Sequence, residues 1–435
     1  MQNQIRTVFT CLFLHLVLYS QLYSQDDTYY NAGFVRNDNA VYRENIRTVL
    51  LYKSGFELSP PLIQFNTDEK LVLVFDDMDA AYKQYRYTLV HCDAFWNTSD
   101  LRQMEYLDGF MDDYIEDYKF SFNTTIPYVN YVVEFPSEYM KIKKSGNYIL
   151  KVFLDSETDE NVVFTRRFMV YEPKVTVQGI VENAADLDLR YTHQQINPKI
   201  ITGNYTFTDA YSNLHVIVMQ NGRWDNIFKN VQPRMTNNNE YDFSFQDQPV
   251  FSAGNEFRYF DMKTLKYNTD RMQSLQYTKE GYQVYLMTDL PRTNGNYYSE
   301  EDINGRKLIA SNDARDPYNE GDYAWVHFKL PYKYPLAEGN LYVFGAISDW
   351  QFNPANLMHY NYDLNAYEAK ILLKQGYYNY AYAFLENRSN VGDLGFIEGS
   401  HWETRNEYIV YVYHRQQGDT YDQLVGVGFI NSVGQ

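Results

Sequence analysis

Cysteine is almost missing from this chain, with two in 435 residues, Cys11 and Cys92. Cys11 lies in an apolar stretch near the N-terminus. The folded part therefore keeps one thiol, which excludes an internal disulfide framework. Long hydrophobic runs are missing too. Val8 to Leu18 is the longest, and its roughly 11 residues fall short of the ~18 that a membrane helix needs. Basic charge is scarce: 38 Lys and Arg stand against 56 Asp and Glu, a net charge of −18. That balance argues against nucleic acid or an anionic membrane surface as partner. The spacings of common catalytic sites are also absent. There is no His-x-x-x-His or Cys-x-x-Cys pair for a metal, no Gly-x-Ser-x-Gly elbow, no phosphate loop and no dinucleotide fingerprint. No catalytic residue, cofactor-binding residue or metal ligand is expected.

What is present begins with an export signal over residues 1–24: a short region ending in Arg6, the apolar core Val8 to Leu18, then small and polar residues around Ser20 and Ser24. Cys11 comes too early in the apolar core to be a lipid attachment site. Apolar residues at 45% and charged residues at 22% describe a globular protein, and the length allows about three domains. Tyrosine is the outstanding residue, 44 of 435, joined by 27 Phe and 5 Trp. Such a composition favours β-structure, and most of these rings are expected to fill cores.

Short alternating or fully apolar runs bounded by Gly, Asn, Asp and Pro recur along the chain, so the fold class is all-β, with tandem immunoglobulin-like or early-set β-sandwich domains. In the first, over residues 25–172, strands are predicted at Leu71 to Phe75, Tyr82 to Cys92, Tyr128 to Phe135, Asn147 to Leu154 and Val162 to Tyr171. Leu101 to Tyr118 reads as an inserted loop with a helical turn. Glu172-Pro173 marks a boundary. A middle sandwich is predicted over 173–333, with its strongest strand at Leu214 to Gln220 and a hairpin at Thr293 to Ala310, where Asn294-Gly295 and Asn304-Gly305 signal turns. Pro331 and Pro335 suggest a second linker. The last domain, 334–435, is predicted to hold strands at Leu341 to Ile347, Glu368 to Leu373, Tyr377 to Phe384 and Tyr408 to Tyr413. Alternation within Tyr377 to Phe384 places Tyr378, Tyr380, Tyr382 and Phe384 on one face.

Three clusters invite a chemical reading. His91-Cys92-Asp93 suggests a thiol and imidazole pair, but strand neighbours face opposite ways, and a buried structural cysteine is the expectation. Asp76-Asp77-Met78-Asp79 and Asp112-Asp113 with Glu116-Asp117 offer oxygens for calcium without the spacing of a calcium loop, so solvated acidic turns are expected. Paired carboxylates of a glycosidase leave no signature in sequence, and an exported hydrolase is the third-ranked reading.

Two resemblances cover the chain. The order of Phe75-Asp76-Asp77, His91-Cys92-Asp93 with Trp96, Glu105-Tyr106, Gly109-Phe110, Ser145-Gly146-Asn147-Tyr148, Gln220-Asn221-Gly222-Arg223-Trp224, Ala253-Gly254-Asn255-Glu256-Phe257-Arg258 and Tyr421-Asp422-Gln423-Leu424 resembles the plug family of the type IX secretion translocon. The resemblance implies a non-enzymatic periplasmic subunit, peripheral to the outer membrane, that closes the periplasmic mouth of its partner, a very large outer-membrane β-barrel. Its docking interface is not implied. Separately, Gly345-Ala346-Ile347-Ser348-Asp349-Trp350 and the run Gly376 to Phe384 resemble glycogen-binding-type carbohydrate modules. Trp350, with Trp402 as a second ring, would then contact glycan. The second stacking tryptophan of that family is missing after Phe384, and Trp350 is expected to pack under its loop.

Overall fold

In the computed structural model, residues 35–432 are described apart from 230, 238 and 245–248. The export signal read from the sequence lies outside the described residues. From Arg36 onward the chain is one compact unit built from three β-sandwiches.

The first sandwich has one sheet ordered Ala40–Val41, Val162–Tyr171, Gly146–Leu154, Tyr85–Cys92 and Asp112–Tyr114, with Leu62–Gln64 running parallel to Val162–Tyr171. Its facing sheet is ordered Ile46–Lys53, Leu71–Asp77, Val129–Phe135 and Asp117–Phe120. Leu71–Asp77 is buried at all seven positions. Leu71, Leu73 and Phe75 enter the sandwich core, whereas Val72 and Val74 pack with Tyr52 and Tyr318 on the other face. An uninterrupted apolar strand needs cover on both faces, and here the third sandwich supplies the outer cover. The stretch from Leu101 holds the helical turn Gln103–Tyr106 and then three short strands rather than a loop.

The middle sandwich departs from the domain boundaries read in the sequence. One sheet is ordered Thr176–Asn183, His193–Ile201, Glu240–Asp242 and Met235–Asn237, with Val250–Ser252 also on His193–Ile201. The other is ordered Leu214–Gln220, Glu407–His414 and Gln423–Asn431. Gln220 and Tyr408 thus meet 188 positions apart. A contiguous 334–435 domain is therefore not what forms, since its last two strands belong to the middle sandwich.

The third sandwich is inserted between them. Its sheets are ordered Met272–Thr278, Gly281–Leu286, Tyr323–Pro331, Ala366–Lys374, His359–Asn361, and Arg258–Asp261, Gly376–Glu386, Lys307–Ile309, with Gly339–Phe344 on Gly376–Glu386. Pro331 is no linker: it ends a strand opposite Ala366. Nor does Thr293 to Ala310 form a hairpin. Only Lys307–Ile309 is extended, and it pairs with Gly376–Tyr378, because the segment wraps across the sheet with Gly305 against Trp350 and Phe257. The tyrosine ladder points inward, with Tyr378, Tyr380 and Tyr382 in the core.

Candidate functional site

Two seams join the first sandwich to the others. Toward the third sandwich, Asp76 continues the outer face of Leu71–Asp77 and is fully buried. Its Oδ2 accepts from the Lys374 ammonium at 2.7 Å and the Tyr323 hydroxyl at 2.6 Å, and its Oδ1 accepts from the Asn130 amide at 2.8 Å. Lys374 is equally buried and sits 4.0 Å from the Tyr128 ring centroid. Burial pulls this ammonium below its ordinary value against the attraction of Asp76. The Tyr128 hydroxyl donates to the Gly321 carbonyl at 2.8 Å, closing a polar seam with its groups paired. The sequence reading of Asp76 and Asp77 as solvated turns is therefore wrong. Both lie within a covered strand, and Asp77 is held by Tyr85, Lys83 and Asn45.

Toward the middle sandwich the seam is mainly apolar, with polar contacts such as the Tyr413 hydroxyl donating to Asn147 Oδ1 at 2.7 Å. Ile409, Tyr411 and Tyr413 face Leu62, Cys92, Ile149 and Met169, while Tyr408, Val410 and Val412 fill the middle core. Arg167 lies against both Trp96 and Trp224, 4.6 and 4.9 Å from their rings, which themselves meet edge-on, and burial pushes it down to about 10. His91 and Cys92 are both buried but take different partners. His91 Nδ1 hydrogen-bonds Ser99 Oγ and Nε2 meets the Ser145 carbonyl, whereas Cys92 Sγ donates only to Val90 at 3.8 Å. Burial pushes the imidazole down to about 4 and the thiol up to about 12. A neutral imidazole and a neutral thiol without mutual contact make no nucleophile.

Where the three sandwiches meet, a cavity of about 190 Å³ is lined by Arg166, Arg306, Lys307, Asp349, Trp350 and Tyr411, among others. Asp349 bridges Arg166 of the first sandwich at 2.7 Å and Lys307 of the third at 3.2 Å. Trp350 is half-buried, edge-on to Phe344 and Phe257, with Gly305 against its six-membered ring. A side chain at Gly305 would collide with that ring, so the packing is tight. Trp402 is not part of this cavity; its backbone hydrogen-bonds Tyr191 and Gln194 of the middle sandwich. The structure does not bring the two tryptophans into one stacking platform. Among the described residues no group of three or more His, Cys, Asp or Glu is placed to hold a metal.

Sequence reasoning missed the interior of the third sandwich. Arg258 binds Glu398 and Asp289, Arg292 binds Glu398, and the Tyr380 and Tyr382 hydroxyls donate to Asp289 at 2.6 and 2.8 Å. Burial alone would raise the Glu398 carboxyl, but Arg258 and Arg292 hold it below its ordinary value. The alternating Tyr378, Tyr380 and Tyr382 were the available signal, since buried hydroxyls require acceptors.

The first sandwich also carries exposed rings along one edge, with Phe110, Tyr114, Tyr118, Phe120 and Phe122 all open to solvent. A family model for the type 9 secretion system plug protein 1st domain matches residues 46–172, the span of this sandwich from its first long strand to the Glu172-Pro173 boundary. The chain belongs to the plug family of the type IX secretion system. Plug-family proteins are structural, non-catalytic and envelope-associated, and they associate with a larger component of the secretion system. A hypothetical protein from Parabacteroides merdae ATCC 43184, known from its crystal structure, is 35% identical with a TM-score of 0.88, over 92% of this plug-family chain and 100% of its own. Comparison with curated proteins finds no match. Among the described residues of this plug-family chain, no helix is long and apolar enough to cross a membrane.

Proposed function

We propose that this plug-family protein closes the periplasmic opening of a giant outer-membrane β-barrel export channel, acting by steric occlusion and without catalysis. Its place is the periplasm, docked on the barrel when no cargo passes. The observation that carries this reading is the pair of buried seams. Occluding a wide lumen calls for a bulky body that keeps its shape under pressure from solutes. The Asp76–Lys374 pair, the Asp349 bridge and the apolar contacts of Ile409 and Tyr411 give the three sandwiches one fixed arrangement. Deleting the gene is expected to leave the envelope permeable to large solutes, with the full-length protein restoring the barrier. An unchanged barrier in the deletion strain overturns the gate. A glucan column tests the alternative of an exported glycan-binding protein, and retention that Trp350→Ala abolishes would favour it.

A further inference from the structure

We infer that the open edge of the first sandwich is the docking face, and that its occupant is a protein rim bearing lysines and arginines around an extended apolar segment; this rests on the gate reading above. Asp112–Tyr114 ends one sheet and Asp117–Phe120 ends the other, with buried Ile115 crossing between them, so both open sheet edges lie on one side of the sandwich. All four residues of Asp117–Phe120 are exposed. The Ser121 amide donates inward to Tyr128, which leaves the main-chain groups of Tyr118 and Phe120 directed outward. The next outward amide, Phe122, already donates to the Asn319 carbonyl of the third sandwich. The edge is thus closed by the third sandwich at Phe122 and open to added chain at Tyr118 and Phe120, as strand addition requires.

The rings along it are held in place. Phe110 is 56% exposed yet stacks on Tyr139, and its amide donates to the Tyr139 carbonyl at 2.7 Å. Gly109, at φ +95°, permits that approach, since a Cβ there would lie 2.1 Å from the same carbonyl. Tyr118 leans on Tyr82, with ring centroids 4.6 Å apart. Fixed, exposed aromatic rings lose little entropy on being covered. Asp108, Asp113, Glu116 and Asp117 stand among them, and none pairs with a cation among the described residues. A partner must therefore bring positive charge to a surface whose apolar centres are aromatic.

The test places a photo-crosslinking residue at Phe110 or Phe120, and in separate strains at Tyr277 or Tyr298 of the third sandwich, in the full-length protein in intact cells. The expected result is an adduct from positions 110 and 120 only, on an outer-membrane barrel, at a peptide containing Lys or Arg. Paired Glu116→Lys and Asp117→Lys substitutions should lower that adduct at least tenfold. Adducts from 110 and 120 to another basic protein uphold the face but overturn the gate. Adducts from 277 or 298 alone overturn the face while the gate stands. No adduct from 110 or 120 also overturns the face.

Discussion

The two seams of the first sandwich solve the same problem with opposite chemistry. Both arise where a strand is apolar on two faces, Leu71–Asp77 in one case and Glu407–His414 in the other. The seam to the middle sandwich is filled chiefly by side chains such as Ile409, Met169 and Tyr411, so most of its attraction is non-directional. The seam to the third sandwich also packs Val72 and Val74 against Tyr318, but it is fixed by Asp76, Lys374 and Tyr323, whose hydrogen bonds form in one register only. Apolar contact supplies adhesion. Buried charge supplies a penalty for any other alignment, because an unpaired ion in that position is costly.

The largest break in this comparison comes from removing one ion. Lys374→Met should destabilise the protein by about 4 kcal/mol in denaturant unfolding, because Asp76 is left buried without its cation. Adding Asp76→Leu should recover most of that loss. A double variant as unstable as the single one would show that the pair itself contributes adhesion.

A titratable ring sits beside the apolar seam, where the core of the first sandwich meets Tyr421 of the middle one. His91 lies among Tyr106, Tyr148 and Tyr421 and is pushed down to about 4. Below an unfolded value near 6.5 the unfolded chain takes up a proton that folded His91 refuses, so stability is lost as pH falls from 6.5 toward 4. Replacing it by Gln should flatten that fall by about 3 kcal/mol, seen in denaturant midpoints between pH 7 and 4. His193, His327 and His414 are shifted the same way and account for slope that remains.

Smaller changes follow. Ile409→Val should cost about 1 kcal/mol with no dependence on salt, a deleted methylene in a packed apolar seam. Lys119→Ala removes an exposed ion pair to Asp316 across the polar seam and should change stability by less than about 1 kcal/mol. An effect from Lys119 as large as that from Lys374 would contradict the assignment of register to the buried pair.

Strands were largely legible because their period is local. Leu214–Gln220 and Val162–Tyr171 were read at their observed bounds, and the position of the Leu71 strand was plain from its apolar run. Pairing across 188 residues is not local, so the return of Glu407–His414 to the middle sandwich left no mark on which a boundary could be drawn. Pro331 illustrates the same limit: its residue type suggests a linker, yet at a strand end its missing amide costs nothing. The edge rings were visible as residues but not as exposed ones. Tyr118 at the open edge and Tyr131 within the core look alike in sequence and differ only in what tertiary packing places over them.

The insertion of the third sandwich has a consequence in time. During synthesis or export the first sandwich can close once Tyr171 has emerged, and the third once its strand Gly376–Glu386 has. The middle one must wait, its strand Leu214–Gln220 unpaired while nearly two hundred further residues pass. Until Glu407–His414 arrives, both faces of that gap are open, and neither the middle core nor the apolar seam exists. The body that could fill a pore is thus assembled last and all at once, and an incompletely exported chain would expose Val216, Ile217 and Val218 as an apolar strand available to chaperones or to aggregation.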